Sequence, residues 1–212
     1  KLSCHLPGGR SAYSFCVCPG GTVMAAASEP ETVVTNGMSE YARDKTNING
    51  ALLVGVGPED YPSAHPLAGI AFQRQLEHAA WVLGGKTGYA PAQQAGDFLA
   101  GRASTGFGRV RPSYLPGVTP ANLRDCLPDF VSDTLAQALP ELGRKLRGYD
   151  DPEAVLTAVE SRSSSPVRIL RGPDGQSRLA GLYPCGEGAG YAGGIMSAAA
   201  DGLRCAQWML ES

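Results

Sequence analysis

Long apolar runs are missing from this sequence: no stretch approaches the roughly 20 residues that cross a bilayer, and residues 1–10 lack the apolar centre of a signal peptide. A soluble, cytoplasmic protein with no membrane partner is the expectation. Charge of one sign is missing as well. Eighteen Lys and Arg stand against 20 Asp and Glu, for a formal net charge of −2. They are scattered along the chain, which leaves no footprint for a phosphate backbone and argues against nucleic acid as a partner. Histidine is scarce: His5, His65 and His78 lie far apart and form no metal-ligand spacing. No internal repeat or low-complexity tract is present, and there is no initiator Met. The opening Lys-Leu-Ser-Cys reads like the middle of a strand, so a piece of a longer protein is expected.

Cysteine is sparse for a disulfide scaffold. Cys4, Cys16, Cys18, Cys126, Cys185 and Cys205 are dispersed through 212 residues, a chain too large to need such a framework, and all six read as reduced thiols. Cys16-Val-Cys18 is the one close pair. On a strand its side chains point to opposite faces, which suits neither a mutual disulfide nor a shared metal. No metal site is expected.

What is present is ordinary globular composition, 43% hydrophobic and 18% charged, enough to bury a sizeable core. The first third reads as β. Tyr13-Ser-Phe-Cys-Val-Cys18 and Thr22-Val-Met-Ala-Ala-Ala27 flank Pro19-Gly-Gly21 and predict a hairpin; Glu31-Thr-Val-Val-Thr35 and Asn49-Gly-Ala-Leu-Leu-Val-Gly-Val56 predict further strands of an antiparallel meander. From residue 67 to 83, apolar residues recur at three- and four-residue spacing before Gly84-Gly85, predicting a helix and its stop. Thr119-Pro120 reads as the start of a second helical region, continuing over 127–147 and kinked or divided at Pro140. Residues 86–116, rich in Gly, Ala, Pro and Ser, read as an irregular connection with a helical hint at 91–99.

The last fifty residues carry the chemistry. Val167-Arg-Ile-Leu-Arg171, a turn at Gly172-Pro-Asp-Gly175 and a strand over 179–185 predict a hairpin leading into Gly186-Glu-Gly-Ala-Gly-Tyr-Ala-Gly-Gly194, followed by a helix to Leu210. Gly188 to Gly193 matches the Gly-x-Gly-x-x-Gly dinucleotide pattern. After the helix too few residues follow for a second parallel strand and an acidic ribose ligand, so a complete mononucleotide-binding unit is not expected. The physics remains: glycines clear Cβ atoms from the backbone, and a helix start offers free N–H groups and a positive dipole end to phosphate, ribityl hydroxyls or a flavin carbonyl. A plain crossover with no ligand would look the same. Glu160, Arg162 and Arg168 surround a Ser-Ser-Ser-Pro segment, Ser164 within it, that could bind a carboxylate or a nicotinamide phosphate, or could be a local ion-pair network.

Tyr13-Ser-Phe-Cys-Val-Cys-Pro-Gly-Gly21, Asn36-Gly-Met-Ser39, Glu160-Ser-Arg-Ser-Ser-Ser-Pro-Val-Arg168 and Gly181-Leu-Tyr-Pro-Cys-Gly-Glu-Gly-Ala-Gly-Tyr-Ala-Gly-Gly-Ile-Met-Ser-Ala-Ala-Ala200 together resemble the C-terminal region of a family of uncharacterised FAD-dependent dehydrogenases. The resemblance runs from about residue 10 to the end, with four blocks in the same order. It implies a flavoprotein whose N-terminal dinucleotide-binding domain is a separate part of the same polypeptide and holds the ADP portion of FAD, with NADH or NADPH as a further partner. It implies that Gly186, Glu187, Gly188, Gly190, Tyr191, Gly193, Gly194 and Ile195 close over the ribityl and isoalloxazine portion. Glu187 stands where related families often carry Asp. Arg162, Ser164 and Arg168 are the substrate-binding candidates. No catalytic acid or base is assigned, because hydride transfer belongs to the flavin.

The expected fold is α+β: an antiparallel meander, a helical middle segment, and a closing strand, glycine-rich turn and helix that complete an FAD-binding domain. Residues 1–160 form the substrate or cap-like region and 161–212 the closing segment; on its own the chain is expected to be inactive and to retain no FAD. A non-enzymatic FAD-binding or interaction module, and a stand-alone phosphate-binding domain, are the competing readings.

Overall fold

Two strands open the chain, β1 (Ser3–His5) and the long β2 (Ser11–Ala25), followed by β3 (Thr35–Ser39) and β4 (Asn47–Val54), in a computed structural model that describes residues 2–211. All pairings are antiparallel, and β2 is the centre of the sheet. Tyr13 pairs with both Ser3 and Leu53, and Gly21 with both Ser39 and Asn47, so β1 and β3 share one edge of β2 while β4 takes the other. The hairpin expected at Pro19-Gly-Gly21 is absent, because these residues lie inside β2. Its register against β4 shifts between Phe15 and Cys18 and again between Cys18 and Gly21. The extra residues are therefore absorbed as bulges, the usual place for proline and glycine within a sheet. The strand expected over 31–35 begins only at Thr35; Glu31 has φ 57° and Val33 and Val34 are buried in the core.

Gly20 makes the bulge possible. Its φ is +54°, and a Cβ there would sit 1.8 Å from the Arg43 carbonyl oxygen. Gly9 also has positive φ, +83°, but nothing within 4 Å of its Cβ position. Gly9→Ala should therefore cost about 1 kcal/mol of backbone strain, and Gly20→Ala about 3 kcal/mol or more because a backbone clash is added. Urea midpoints of the two variants check this; equal losses would mean that the bulge yields freely.

The region expected to be an irregular connection contains β5 (Ala90–Gln94), the centre of a second sheet, and the short helix α2 (Ala95–Leu99). β5 pairs in parallel with β6 (Val118–Pro120) and antiparallel with β7 (Val155–Thr157). Ala90, Pro91, Ala92 and Gln93 are all buried, so the strand shows no period-two alternation. Gln93 is satisfied in the interior: its Nε2 donates to Arg102 O at 2.7 Å and its Oε1 accepts from Leu123 N at 2.8 Å. Thr119-Pro120 belongs to β6 and starts no helix; the Thr119 hydroxyl donates to Gly84 O at 2.8 Å. Val33, Ala80, Phe98, Tyr114, Leu123 and Val159 form the main core.

Helix α1 (Ala68–Leu83) ends as the sequence predicts. Gly85, at φ +92°, donates to Val82 O, and Lys86 N donates to Trp81 O, the Schellman pattern of paired terminal bonds. Helix α3 (Asp129–Lys145) begins directly after Pro128 and runs through Pro140 undivided, with Ala138, Leu139 and Leu142 buried. Helix α4 (Ile195–Glu211) closes the chain. The α+β class is as expected. Among the described residues, no helix is long and apolar enough to cross a membrane.

The chain divides into two compact units. The first comprises Lys1–Glu59 and Arg74–Ser161; the second comprises Asp60–Gln73, which includes the first turns of α1, and Arg162–Ser212. In the second unit the hairpin expected over 167–185 is not formed. The turn at Gly172-Pro-Asp-Gly175 exists, with Gly175 N donating to Gly172 O at 3.0 Å, but its flanks lack a ladder and count no strand residues. Gly175 is instead held by Trp208 of α4, whose Cε3 would lie 2.3 Å from an added Cβ.

Candidate functional site

The glycine-rich segment folds as a tight turn before α4. Tyr191 N donates to Gly186 O at 3.0 Å and Gly190 N to Glu187 O at 2.9 Å. Gly186 and Gly190 have φ of +72° and +83°, a region where a side chain is strained. At Gly190 there is no room either, since a Cβ would lie 2.4 Å from Val167 O. That contact joins the turn to the segment at 167–171: Ile169 N donates to Ala189 O, Arg168 Nε to Gly190 O at 3.0 Å, and the Tyr191 hydroxyl to Ile169 O at 3.1 Å. The guanidinium carbons of Arg168 and Arg171 lie 5.0 and 3.7 Å from the centre of the Tyr191 ring, within cation–π range.

On its other side the turn is fastened by an ion pair that the sequence reading missed. Arg171 and Asp201 are only 8% and 9% exposed at their side chains. They meet through both terminal guanidinium nitrogens and both carboxylate oxygens, at 2.7 and 2.9 Å. Asp201 Oδ2 also accepts from Gly186 N at 2.9 Å, and Arg171 Nη1 donates to Pro184 O at 2.8 Å. The Arg171 hydrogen bonds, followed by the Gly186 amide, hold the Asp201 carboxyl down at about 2, as expected for a carboxylate accepting several donors. A signal was available. Asp201 shares the inward face of α4 with Cys205, and a carboxylate placed on such a face needs a partner.

The remainder of the turn is open. Nothing lies within 4 Å of a Cβ built on Gly188; at Gly193 the nearest atom is Ser164 Oγ at 3.6 Å, and at Gly194 it is Ser197 Oγ at 3.8 Å. The first bond of α4 runs from Ala198 N to Gly194 O, so the amides of Ile195, Met196 and Ser197 precede it and project from the helix start. An open recess of about 300 Å³ beside this start is lined by Ser164, Ser165, Arg168, Gly190, Tyr191, Ala192 and Gly193. Five residues named from sequence, Ser164, Arg168, Gly190, Tyr191 and Gly193, thus share one hollow. Arg162 does not line it, and neither do Gly186, Glu187, Gly188, Gly194 and Ile195. Gly186 is taken by Asp201, Glu187 and Gly188 are exposed on the turn, and Gly194 and Ile195 sit at the helix start. Glu160 lies in the first unit, where burial pushes its carboxyl upward.

Helix α4 carries an exposed apolar stripe opposite its inward face. Asp201 and Cys205 turn inward, with Trp208 half-buried against Gly175. Met196, Ala199, Ala200, Leu203, Ala206 and Leu210 recur at helical spacing on the other side and are exposed, Met196 at 81% and Leu210 at 89%.

The family described as FAD-dependent protein, C-terminal domain-like, matches residues 1–163, which ends beside the boundary between the two units and before the glycine-rich turn. A protein of Clostridium beijerinckii (strain ATCC 51743 / NCIMB 8052), named as an uncharacterized protein, is 49% identical over 203 residues. That alignment covers 95% of this chain and 38% of the relative, so the chain spans well under half the relative's length.

Proposed function

We propose, because this chain belongs to the FAD-dependent protein, C-terminal domain-like family, that it is the C-terminal part of an FAD-dependent oxidoreductase. In this reading its second unit closes over the ribityl and isoalloxazine portion of the cofactor. The observation that carries the proposal is the exposed apolar stripe of α4. A contiguous exposed apolar patch marks a surface that a partner covers, so the outer stripe of α4 calls for a cover. We assign that cover to a nucleotide-binding domain of the same polypeptide, in keeping with a relative of which this chain matches only 38%.

The residues fit a flavin. Beside the helix start, Gly193 and Gly194 leave the space of their missing side chains open, and the amides of Ile195, Met196 and Ser197 offer donors and a positive dipole end to an electron-rich ring edge. Bound FAD would supply hydride acceptance and donation. The chain's own residues bind and orient: Gly186 and Gly190 shape the turn, Arg168 and Ser164 present polar groups at the recess, and NADH or NADPH is the proposed electron donor. The full-length protein should purify yellow and bleach with NADH or NADPH under anaerobic conditions. A colourless full-length protein that takes up no FAD would overturn the proposal; a yellow one that neither nicotinamide bleaches would restrict it to flavin binding.

A further inference from the structure

The fold brings together two cysteines that lie twenty residues apart in sequence. Cys185 immediately precedes the glycine-rich turn and is exposed, whereas Cys205 is buried on the inward face of α4. Cys205 Sγ lies 4.0 Å from the carbonyl oxygen of Pro184, the residue before Cys185, and Gly186, the residue after it, donates its N–H to Asp201 Oδ2 at 2.9 Å. Arg171 Nη1 lies 3.2 Å from Cys205 Sγ while also holding Asp201 and Pro184 O, so a guanidinium stands over the buried sulfur. Burial raises the Cys205 thiol, and Arg171 opposes that shift. The two neighbours of Cys185, residues 184 and 186, thus meet residues 205 and 201, one helical turn apart on α4, and set Cys185 beside Cys205.

We propose that Cys185 and Cys205 are a redox-active dithiol that a hydroperoxide oxidises to a disulfide, stapling the turn to α4. The exposed Cys185 sulfur, as thiolate, attacks one peroxide oxygen. The O–O bond breaks, an S–O bond forms, and the other oxygen leaves as hydroxide and takes up a proton to become water; Cys185 is then a sulfenic acid. The Cys205 sulfur attacks the Cys185 sulfur, the S–S bond forms, the S–O bond breaks, and water leaves with the proton of the Cys205 thiol. Two thiols have given two electrons to one hydroperoxide, and a small thiol reverses the change by disulfide exchange. An arginine beside Cys205 favours the developing thiolate in the second step. The division of labour follows from burial: Cys185 meets the oxidant and Cys205 resolves it. The inference is independent of flavin.

The test uses the full-length protein. It is treated with hydrogen peroxide, alkylated, digested with trypsin and mapped by mass spectrometry. Cleavage after Arg178 and Arg204 separates Cys185 from Cys205, so only a disulfide keeps the two peptides joined. The expected result is a joined pair that a reductant splits, with Cys16 and Cys18 remaining alkylated. Cys205→Ser should trap Cys185 as a sulfenic acid captured by dimedone, and Cys185→Ser should leave Cys205 reduced. Failure of the two peptides to join in the wild type, persistence there of the Cys185 sulfenic acid beside reduced Cys205, or pairing of either cysteine with another would overturn the proposal. The wild-type map decides even if a variant fails to fold.

Discussion

Gly194→Val in the full-length protein is expected to lose its flavin while this chain keeps its fold. A Cβ at Gly194 meets only Ser197 Oγ at 3.8 Å, an ordinary contact, and φ there lies outside the left-handed region that demands glycine. The chain itself therefore has no objection to a side chain at this position. A branched residue becomes intolerable only if something else occupies the space, and the proposed occupant is the flavin. Affinity should fall by about two orders of magnitude, corresponding to the ~3 kcal/mol that overpacking by a branched side chain costs. The melting temperature of the protein stripped of flavin should hardly move. Gly190 is the contrast: its positive φ and the Val167 carbonyl at 2.4 Å make any side chain there a folding defect. The control is Gly172→Ala, whose Cβ would press on Asp174 Oδ1, the end of a flexible side chain, at 2.8 Å. It should cost some stability and no flavin. Retention of flavin by Gly194→Val, or equal flavin loss in both variants in step with their melting temperatures, would defeat the argument.

How far the fold can be read from the sequence depends on whether each element exposes one face to water. Helix α1 does, and its periodicity and its Gly84-Gly85 stop are both visible. β5 does not: Ala90, Pro91, Ala92 and Gln93 are buried, so no alternation marks the strand, and proline suggests a loop. Pro19-Gly-Gly21 misleads for a different reason. The triplet has turn chemistry, but β2 has partners on both edges there, and tertiary pairing converts the expected turn into a bulge. The segments at 167–171 and 179–185 have strand-like composition but no ladder partner within their unit, and composition cannot supply one. In the candidate site the glycines announce the turn, because positive φ at Gly186 and Gly190 admits few other residues. The Arg171–Asp201 pair could not be read in the same way. Thirty residues separate its members, and only the fold makes them neighbours.

That pair carries the second large expectation. Asp201→Ala leaves the Arg171 guanidinium buried beside Cys205 and the Gly186 amide without its acceptor. Removing one partner of a buried pair costs about 3–5 kcal/mol, a large loss in a unit that holds little regular structure besides α4. Asp201→Asn keeps the shape and an acceptor for Gly186 but surrenders the charge, so its loss should be smaller. Acid provides an independent test of the same contact. Folding lowers the Asp201 carboxyl from about 3.8 to about 2. A depressed carboxylate contributes stability that is fully present above the unfolded value and is lost as pH falls through the folded one, so the window runs from about pH 4 to about pH 2, with about 2 kcal/mol at stake. Hydrogen–deuterium exchange of peptides spanning residues 184–195 reads the clamp locally. In the wild type, protection of the turn should decline across that pH window, once the intrinsic pH dependence of exchange is divided out. In Asp201→Asn the decline should vanish, and in Asp201→Ala protection should be low at every pH. Equal acid sensitivity in wild type and Asp201→Asn would show that another carboxylate governs the turn.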